Sequence, residues 1–374
     1  MIKTPDYEIE LRIDGQLIGN IREQAMNLKW RKCRTASGVD EIDFTLNDKL
    51  FAAWCEKRNT NINEMLRPYA LDARVIRNGE AVVGGYLATM PAYQPQADSA
   101  NLQLRFDGYL NLLQGVYIRP TPTQTDHAEQ IIKSWIDDAE SRAVAAGKGF
   151  GITAGALEQL ATIEQTFDNY KTVKEAIVQR CDNVEGAGQF DLIFNADRSY
   201  YITSQLGRDI ITWQLEYPMR QEGHGIMTIT APEVQGFASH IIALGSGEVS
   251  SDPTKSTVIT SEDTDSDAVA TYGYVEQLNQ YSSVSRQTTL DQHCATDLYN
   301  AANVQWQPQI TLSGEQVPPS STEEHGLWIG DQIYVQNNAD LTGQTSGHFR
   351  INVIDVSVSS TNAETITPTL ERIA

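Results

Sequence analysis

The stretches Ile42-Asp43-Phe44-Thr45-Leu46 and Leu102-Gln103-Leu104-Arg105-Phe106 alternate apolar with polar side chains, as strands do when one face of a sheet is buried and the other is wet. Turn signals surround them. Tyr7 to Ile13 runs into Asp14-Gly15, and Ala73 to Arg77 runs into Asn78-Gly79; both dipeptides accept positive φ and so favour two-residue hairpins. One short helix interrupts this β pattern, with Asn47 as its cap and Leu50, Phe51, Trp54 and Cys55 on one face. Residues 1–119 therefore read as a small antiparallel barrel or sandwich.

The pattern changes after Arg119-Pro120-Thr121-Pro122-Thr123, where proline biases its predecessor toward extended backbone. Asp126 is placed to cap a helix carrying Ile131, Ile132, Trp135, Ile136 and Ala139 at helical spacing. A second helix follows Thr172, whose spacing to Glu175 matches a capping box, with Val173, Ala176, Ile177 and Cys181 as its buried stripe. Phe190, Leu192 and Phe194, a turn at Asn195-Ala196-Asp197-Arg198, then Tyr200 and Ile202 complete an α+β middle domain over 120–222.

Strand character returns at Ile226 to Thr230 and at His240 to Leu244. Residues 245–270, rich in Gly, Ser, Thr and Asp, have the composition of an exposed, mobile loop. A helix around Leu290, Cys294, Leu298 and Ala301 follows, and then Ile310 and Leu312, Gly330 to Val335, Phe349 to Val358 and Thr365 to Ile373 read as strands. Strands on both sides of a helical segment predict a second, discontinuous barrel built from 223–250 and 305–374, with a loop and helical insertion at 251–304. The fold class is thus β-rich α+β: two small antiparallel β-barrels, an α+β middle domain and a helical insertion.

At 374 residues the chain is long enough for two to four domains. With 40% hydrophobic and 21% charged residues, burial outweighs chain entropy and the chain folds. The formal charge of −21, from 28 basic and 49 acidic residues, argues against a protein that grips phosphate backbones, which takes clustered Lys and Arg to displace counterions. Such a surface keeps the protein soluble and repels a passing polyanion such as DNA. Met1 to Glu8 lacks the order of a signal peptide, and no segment approaches the ~18 consecutive apolar residues of a membrane span. Synthesis and assembly in a cytoplasm, with no membrane anchor, are expected. Cys33, Cys55, Cys181 and Cys294 stand far apart without a CxxC pair, so they read as reduced core thiols and not as zinc ligands.

The fragments that resemble catalytic motifs lack their required partners. Gly245-Ser246-Gly247 is not a nucleophile elbow, which needs a glycine two residues to either side of the serine. Asp263, Asp265 and Asp267 imitate the start of a calcium loop, yet no glycine follows at the sixth position and Tyr274 stands where a bidentate Glu is required, so a solvated acidic turn is expected. His127, His224, His240, His293, His325 and His348 form no HExxH and no i,i+4 pair. Neither a Walker loop nor GxGxxG occurs. No catalytic, metal or cofactor-binding residue is assigned, and a non-enzymatic structural role is expected.

The order barrel, helix-helix-hairpin, split barrel resembles the tail-hub and baseplate-hub proteins of tailed phages and related injection machines. The early β region with the short helix from Asn47 to Arg58 resembles the first hub barrel. Thr172-Val173-Lys174-Glu175-Ala176-Ile177 leading into Phe190-Asp191-Leu192 resembles the step into the middle domain. Ile241-Ile242-Ala243-Leu244-Gly245, then Tyr272-Gly273 and Glu276, a helix, Gly330-Asp331-Gln332-Ile333 and the last strands are similar to the second half of such hubs. The resemblance implies a homotrimer whose paired barrels give six similar positions around one axis, through which DNA passes. It also implies a virion location at the tail tip or baseplate after assembly in the host cytoplasm. The partners implied are a distal tail protein or tail tube, a tape measure protein and tail fibre or spike proteins, with no specific nucleic-acid binding and no cofactor. Some related hubs continue into a cell-wall peptidase or glycosidase domain; this chain ends at Ala374 within its last expected strand, so lytic activity is not expected.

Competing readings are a hub or spike adapter of a contractile injection system, a carbohydrate-binding adhesive β-protein drawing on 15 Tyr and 6 Trp, and a cell-wall hydrolase with paired carboxylates. Trp54 and Trp135 lie on apolar helix faces, where core packing explains them better than sugar stacking does.

Overall fold

A computed structural model of the chain describes residues 4–95, 100–119, 121–167, 170–182, 190–218, 224–230, 237–247, 257–282, 284, 286–302, 308–340 and 345–373. Asp14 and Gly15 (φ 51° and 81°) turn β1 (Tyr7–Ile13) into β2 (Gln16–Asn20). Past β3 (Met26–Cys33), β4 (Glu41–Asn47), α1 (Asp48–Glu56) and α2 (Ile62–Met65), the same device at Asn78 and Gly79 (φ 51° and 83°) joins β5 (Leu71–Arg77) to β6 (Glu80–Leu87). Both expected hairpins form, and both turns put two residues at positive φ, where Asp and Asn with glycine are tolerated. β7 (Ala92–Pro95) and β8 (Ala100–Asp107) complete the region. The two alternating stretches are direct neighbours, since Ile42 pairs with Phe106, Phe44 with Leu104 and Leu46 with Leu102. Their apolar faces are buried, with Phe44 and Phe106 stacked at 5.6 Å. Asn47 caps α1 by accepting from Leu50 N at 3.2 Å, and Phe51, Trp54 and Cys55 are buried. Leu50, expected on that face, points outward and is 59% exposed.

The middle region comprises β9 (Tyr117–Ile118), β10 (Thr121–His127), α3 (Ala128–Ala145), β11 (Thr153–Leu157), β12 (Thr162–Phe167), β13 (Lys171–Thr172), α4 (Val173–Asp182), β14 (Asp191–Phe194) and β15 (Ser199–Thr203). α3 buries the predicted stripe Ile131, Ile132, Trp135, Ile136 and Ala139. Its start differs from expectation: Asp126 belongs to β10, pairing with Ile163, and His127 occupies the cap position without a side-chain cap bond. At α4 the capping box is made in full. Thr172 Oγ1 accepts from Glu175 N at 3.1 Å, and the Glu175 carboxylate accepts from Thr172 N at 3.1 Å.

After β16 (Asp209–Tyr217) and β17 (His224–Thr230) the chain builds a separate small unit from 230–308: β18 (His240–Leu244), β19 (Thr260–Thr264), α5 (Ser266–Tyr272), β20 (Glu276–Gln280) and α6 (Gln287–Ala302). The strand His240–Leu244, expected in the second barrel, is instead the centre of this unit's three-stranded sheet, antiparallel to β19 and parallel to β20. Ile241 and Ala243 pack against Leu290, Cys294 and Leu298 of α6. Within 245–270, read as loop, the structure forms β19 and α5; β19 is a mostly exposed edge strand of polar residues, so apolar periodicity could not reveal it. Residues 248–256 of that segment lie outside the described residues.

The chain returns in β21 (Gln309–Ser313), β22 (Gln332–Asn337), β23 (Gly347–Val358) and β24 (Glu364–Arg372). These four with β16 and β17 close a six-strand barrel in the order β23-β22-β16-β17-β21-β24, sealed by the long antiparallel β23–β24 pair. β16, counted by sequence in the middle domain, is a barrel strand because its partner is β22, which it meets in parallel. The N-terminal strands run β2-β1-β5-β6-β8-β4-β3 and join the barrel through β3 and β23. The fold is therefore β-rich α+β with one closed six-strand barrel, and no helix among the described residues is long and apolar enough to cross a membrane.

Candidate assembly surfaces

The seam between the N-terminal sheet and the barrel is six residue pairs long, from Leu28–Val358 to Cys33–Val353. On its outer side Arg31 grips the directly opposite Asp355 with two bonds, at 2.7 and 3.1 Å. Behind it, alternation along β1 and β5 carries Tyr7 and Arg77 onto the buried faces that also hold Ile9, Leu11, Ala73 and Val75. Buried Glu364 of β24 accepts from Tyr7 Oη at 2.5 Å and from Arg77 Nε and Nη2 at 2.5 and 3.1 Å. Arg77 also pairs with Glu323, and Trp30 Nε1 donates to Tyr7 Oη at 3.3 Å. Burial alone weakens the Arg77 cation, and the Glu364 carboxylate more than reverses that. Burial and then the Glu364 charge push the Tyr7 phenol far above its ordinary range.

A second network binds the middle region to both β arrays. Arg34 holds Asp191 at 2.9 and 3.2 Å and donates to Asn352 Oδ1 at 2.9 Å, while Lys32 bridges Asp40 and the Phe194 carbonyl, each at 2.6 Å. Arg198 forks onto Asp72 at 2.6 and 3.0 Å. Lys32, Arg34, Asp72 and Asp191 are buried and each is answered by opposite charge, which a folded interior requires of ions. The arrangement fixes two β arrays and a middle region as one block. Sequence reading missed Arg77, Glu364, Arg34 and Asp191. The available signal was parity, since Arg77 continues the buried alternation of Leu71, Ala73 and Val75, and Glu364 that of Ile366 and Leu370.

The residues weighed for chemistry are dispersed. Asp265 caps α5, accepting from Asp267 N at 3.0 Å and Ala268 N at 2.8 Å, and Asp263 lies in β19 opposite Ile241. Ser246 donates its backbone N–H to the Val284 carbonyl at 2.7 Å, in the loop after β18. His127 contacts the Leu160 carbonyl, His240 contacts Thr264 Oγ1, His293 stacks on Tyr281, and His348 meets Tyr334 edge-on. His325 occupies a turn at φ 58°, and the side chain of His224 is outside the described residues. Among the described residues no three His, Cys, Asp or Glu converge as metal ligands. All four cysteines are buried and unbridged, and burial pushes the Cys33 and Cys55 thiols up to about 12 and about 11. Trp54 and Trp135 are core residues, which removes them from any sugar-stacking surface.

The fold of this chain is similar to that of solved tail proteins. Two solved structures share it over nearly their whole length: the tail protein from Neisseria meningitidis MC58, with TM-score 0.61, 13% identity and coverage of 98% of this chain and 96% of that one, and the 43 kDa tail protein of prophage MuSo2 from Shewanella oneidensis, with TM-score 0.62, 13% identity and 98% of both chains. The prophage tail protein gp18 from Listeria monocytogenes EGD-e aligns at TM-score 0.50 and 10% identity, over 98% of this chain and 95% of that one. No family model and no curated protein matches the sequence, so the relation is one of fold.

Proposed function

We propose that the chain is a structural tail-hub protein of a tailed phage, and that three copies form a ring. Each copy contributes its N-terminal sheet, as a barrel-like module, and its closed barrel, so that six similar β modules surround one axis. The observation that carries this reading is the β3–β23 seam, which holds two β modules of one chain edge to edge. A threefold ring of such pairs meets a sixfold tube without a mismatch in symmetry. The full-length likeness to solved tail proteins, one of them from a prophage, supports the same reading. In this ring the carboxylate excess repels DNA as it passes. The neighbours are a distal tail protein or tail tube, a tape measure protein and fibre or spike proteins. The protein resides at the tail tip or baseplate of the virion after assembly in the host cytoplasm, and its role is mechanical and not enzymatic. Native mass spectrometry of the full chain tests the ring: a species three times 41.5 kDa is expected, together with an annular particle in negative stain. A monomer at concentrations of tens of micromolar, or an annulus with a basic lumen, overturns it.

A further inference from the structure

The sheet of the small unit has one face packed on α6 and one that no helix covers among the described residues. Ile241, Ala243, Asn279 and Tyr281 turn toward α6, where Asn279 and Tyr281 bond Asp297. On the opposite face Ile242 lies between Leu278 and Glu262, and His240 between Glu276 and Thr264, with the Tyr274 ring 5.4 Å from His240. Leu278 is 56% exposed and Tyr274 57%. β20 is an edge strand, paired only with β18 among the described residues, so its outer backbone groups are free to accept another strand. Glu262 and Glu276 have no cationic partner among the described residues; Glu276 accepts only the Tyr274 hydroxyl, at 2.8 Å. Residues 230–308 carry ten carboxylates against Lys255 and Arg286, a net −8 of the chain's −21.

We propose that the face away from α6 and the open β20 edge of this unit dock an extended segment of another protein in which apolar side chains alternate with Lys or Arg. The apolar residues cover Ile242 and Leu278, the cations answer Glu262 and Glu276, and the backbone adds a strand beside β20. Charge decides against two other occupants: a second copy would bring −8 against −8, and a nucleic acid would be repelled. The inference goes beyond the hub reading and does not depend on ring formation.

The test titrates the full chain with a short peptide alternating valine and lysine, and with its valine–glutamate counterpart, by calorimetry and by hydrogen exchange. The lysine peptide is expected to bind with an affinity that falls as salt rises, and to slow exchange at residues 276–280. The glutamate peptide is expected not to bind. Leu278→Ser, at an exposed position, weakens binding about tenfold, and Glu262→Gln with Glu276→Gln weakens it about fivefold at low salt. Absence of binding, binding indifferent to Leu278→Ser, or unchanged exchange in β20 overturns the proposal. A change in oligomeric mass with Leu278→Ser assigns the face to a second copy and also overturns it.

Discussion

Replacing Glu364 with glutamine tests whether the buried charges lock the two β arrays together. Glu364 is fully buried and takes three bonds, one from Tyr7 and two from Arg77. Glutamine preserves the shape but sets an amide donor against the guanidinium, leaving Arg77 to Glu323, whose side chain is 36% exposed. Breaking a buried pair from one side costs about 3 to 5 kcal/mol, because the remaining charge stays desolvated. The surviving Glu323 contact offsets part of this, so a loss of about 3 kcal/mol is expected for Glu364→Gln. In urea unfolding followed by tryptophan fluorescence, that is a midpoint lowered by roughly 1 M. The combination Tyr7→Phe, Arg77→Met and Glu364→Leu removes the charges together with their desolvation cost and recovers part of the loss, Trp30 Nε1 being left without its Tyr7 acceptor. A Glu364→Gln protein within about 1 kcal/mol of the parent, or a triple variant as weak as the single one, refutes the reasoning.

Other outcomes follow from the same geometry. Burial raises the pKa of Tyr7, Tyr86, Tyr109 and Tyr200 above the ordinary 10.0; their contribution to stability is present below that value and is lost as pH climbs past it, because the unfolded chain releases these protons first. Tyrosinate absorbance should therefore show a late step that coincides with unfolding, and a single smooth titration of all 15 tyrosines near pH 10 would contradict this. Thr172→Ala deletes half of the α4 capping box and should cost about 1 kcal/mol in thermal or urea unfolding, whereas Thr172→Ser should be close to neutral. Gly207 sits at φ 86°, where an added Cβ would run into the backbone of Gly330 and Asp331, so Gly207→Ala should cost at least about 2 kcal/mol. Gly15→Ala, at φ 81° but with open space around it, should lose only about 1 kcal/mol.

Local physics was legible in the sequence and non-local pairing was not. Asp14-Gly15 and Asn78-Gly79 announced their hairpins because positive φ is a property of the dipeptide. The stripes of α3, α4 and α6 were visible because helical burial repeats within a few residues. The placement of His240–Leu244 was not, since an apolar strand of that length suits a barrel or a small sheet equally, and only its partners β19 and β20 decide. Acidic β19 carried no apolar signal, and Asp126 looked like a helix cap because its strand pairing with Ile163 leaves no mark on neighbouring residues. The buried pairs were hidden for a related reason: Arg77 and Glu364 lie 287 positions apart, and charge in a strand reads as surface until its parity is followed.

The β3–β23 seam also sets a timetable for the nascent protein. β3 leaves the ribosome with one edge unsatisfied, and the strand that completes it is made some 320 residues later. At ~5 to 20 residues per second that interval is roughly 15 to 65 seconds. During it the N-terminal sheet offers a ready template to any passing strand. Polysomes crowded with this message place many such templates side by side, so slow, dilute synthesis at low temperature should give more soluble protein than rapid induction.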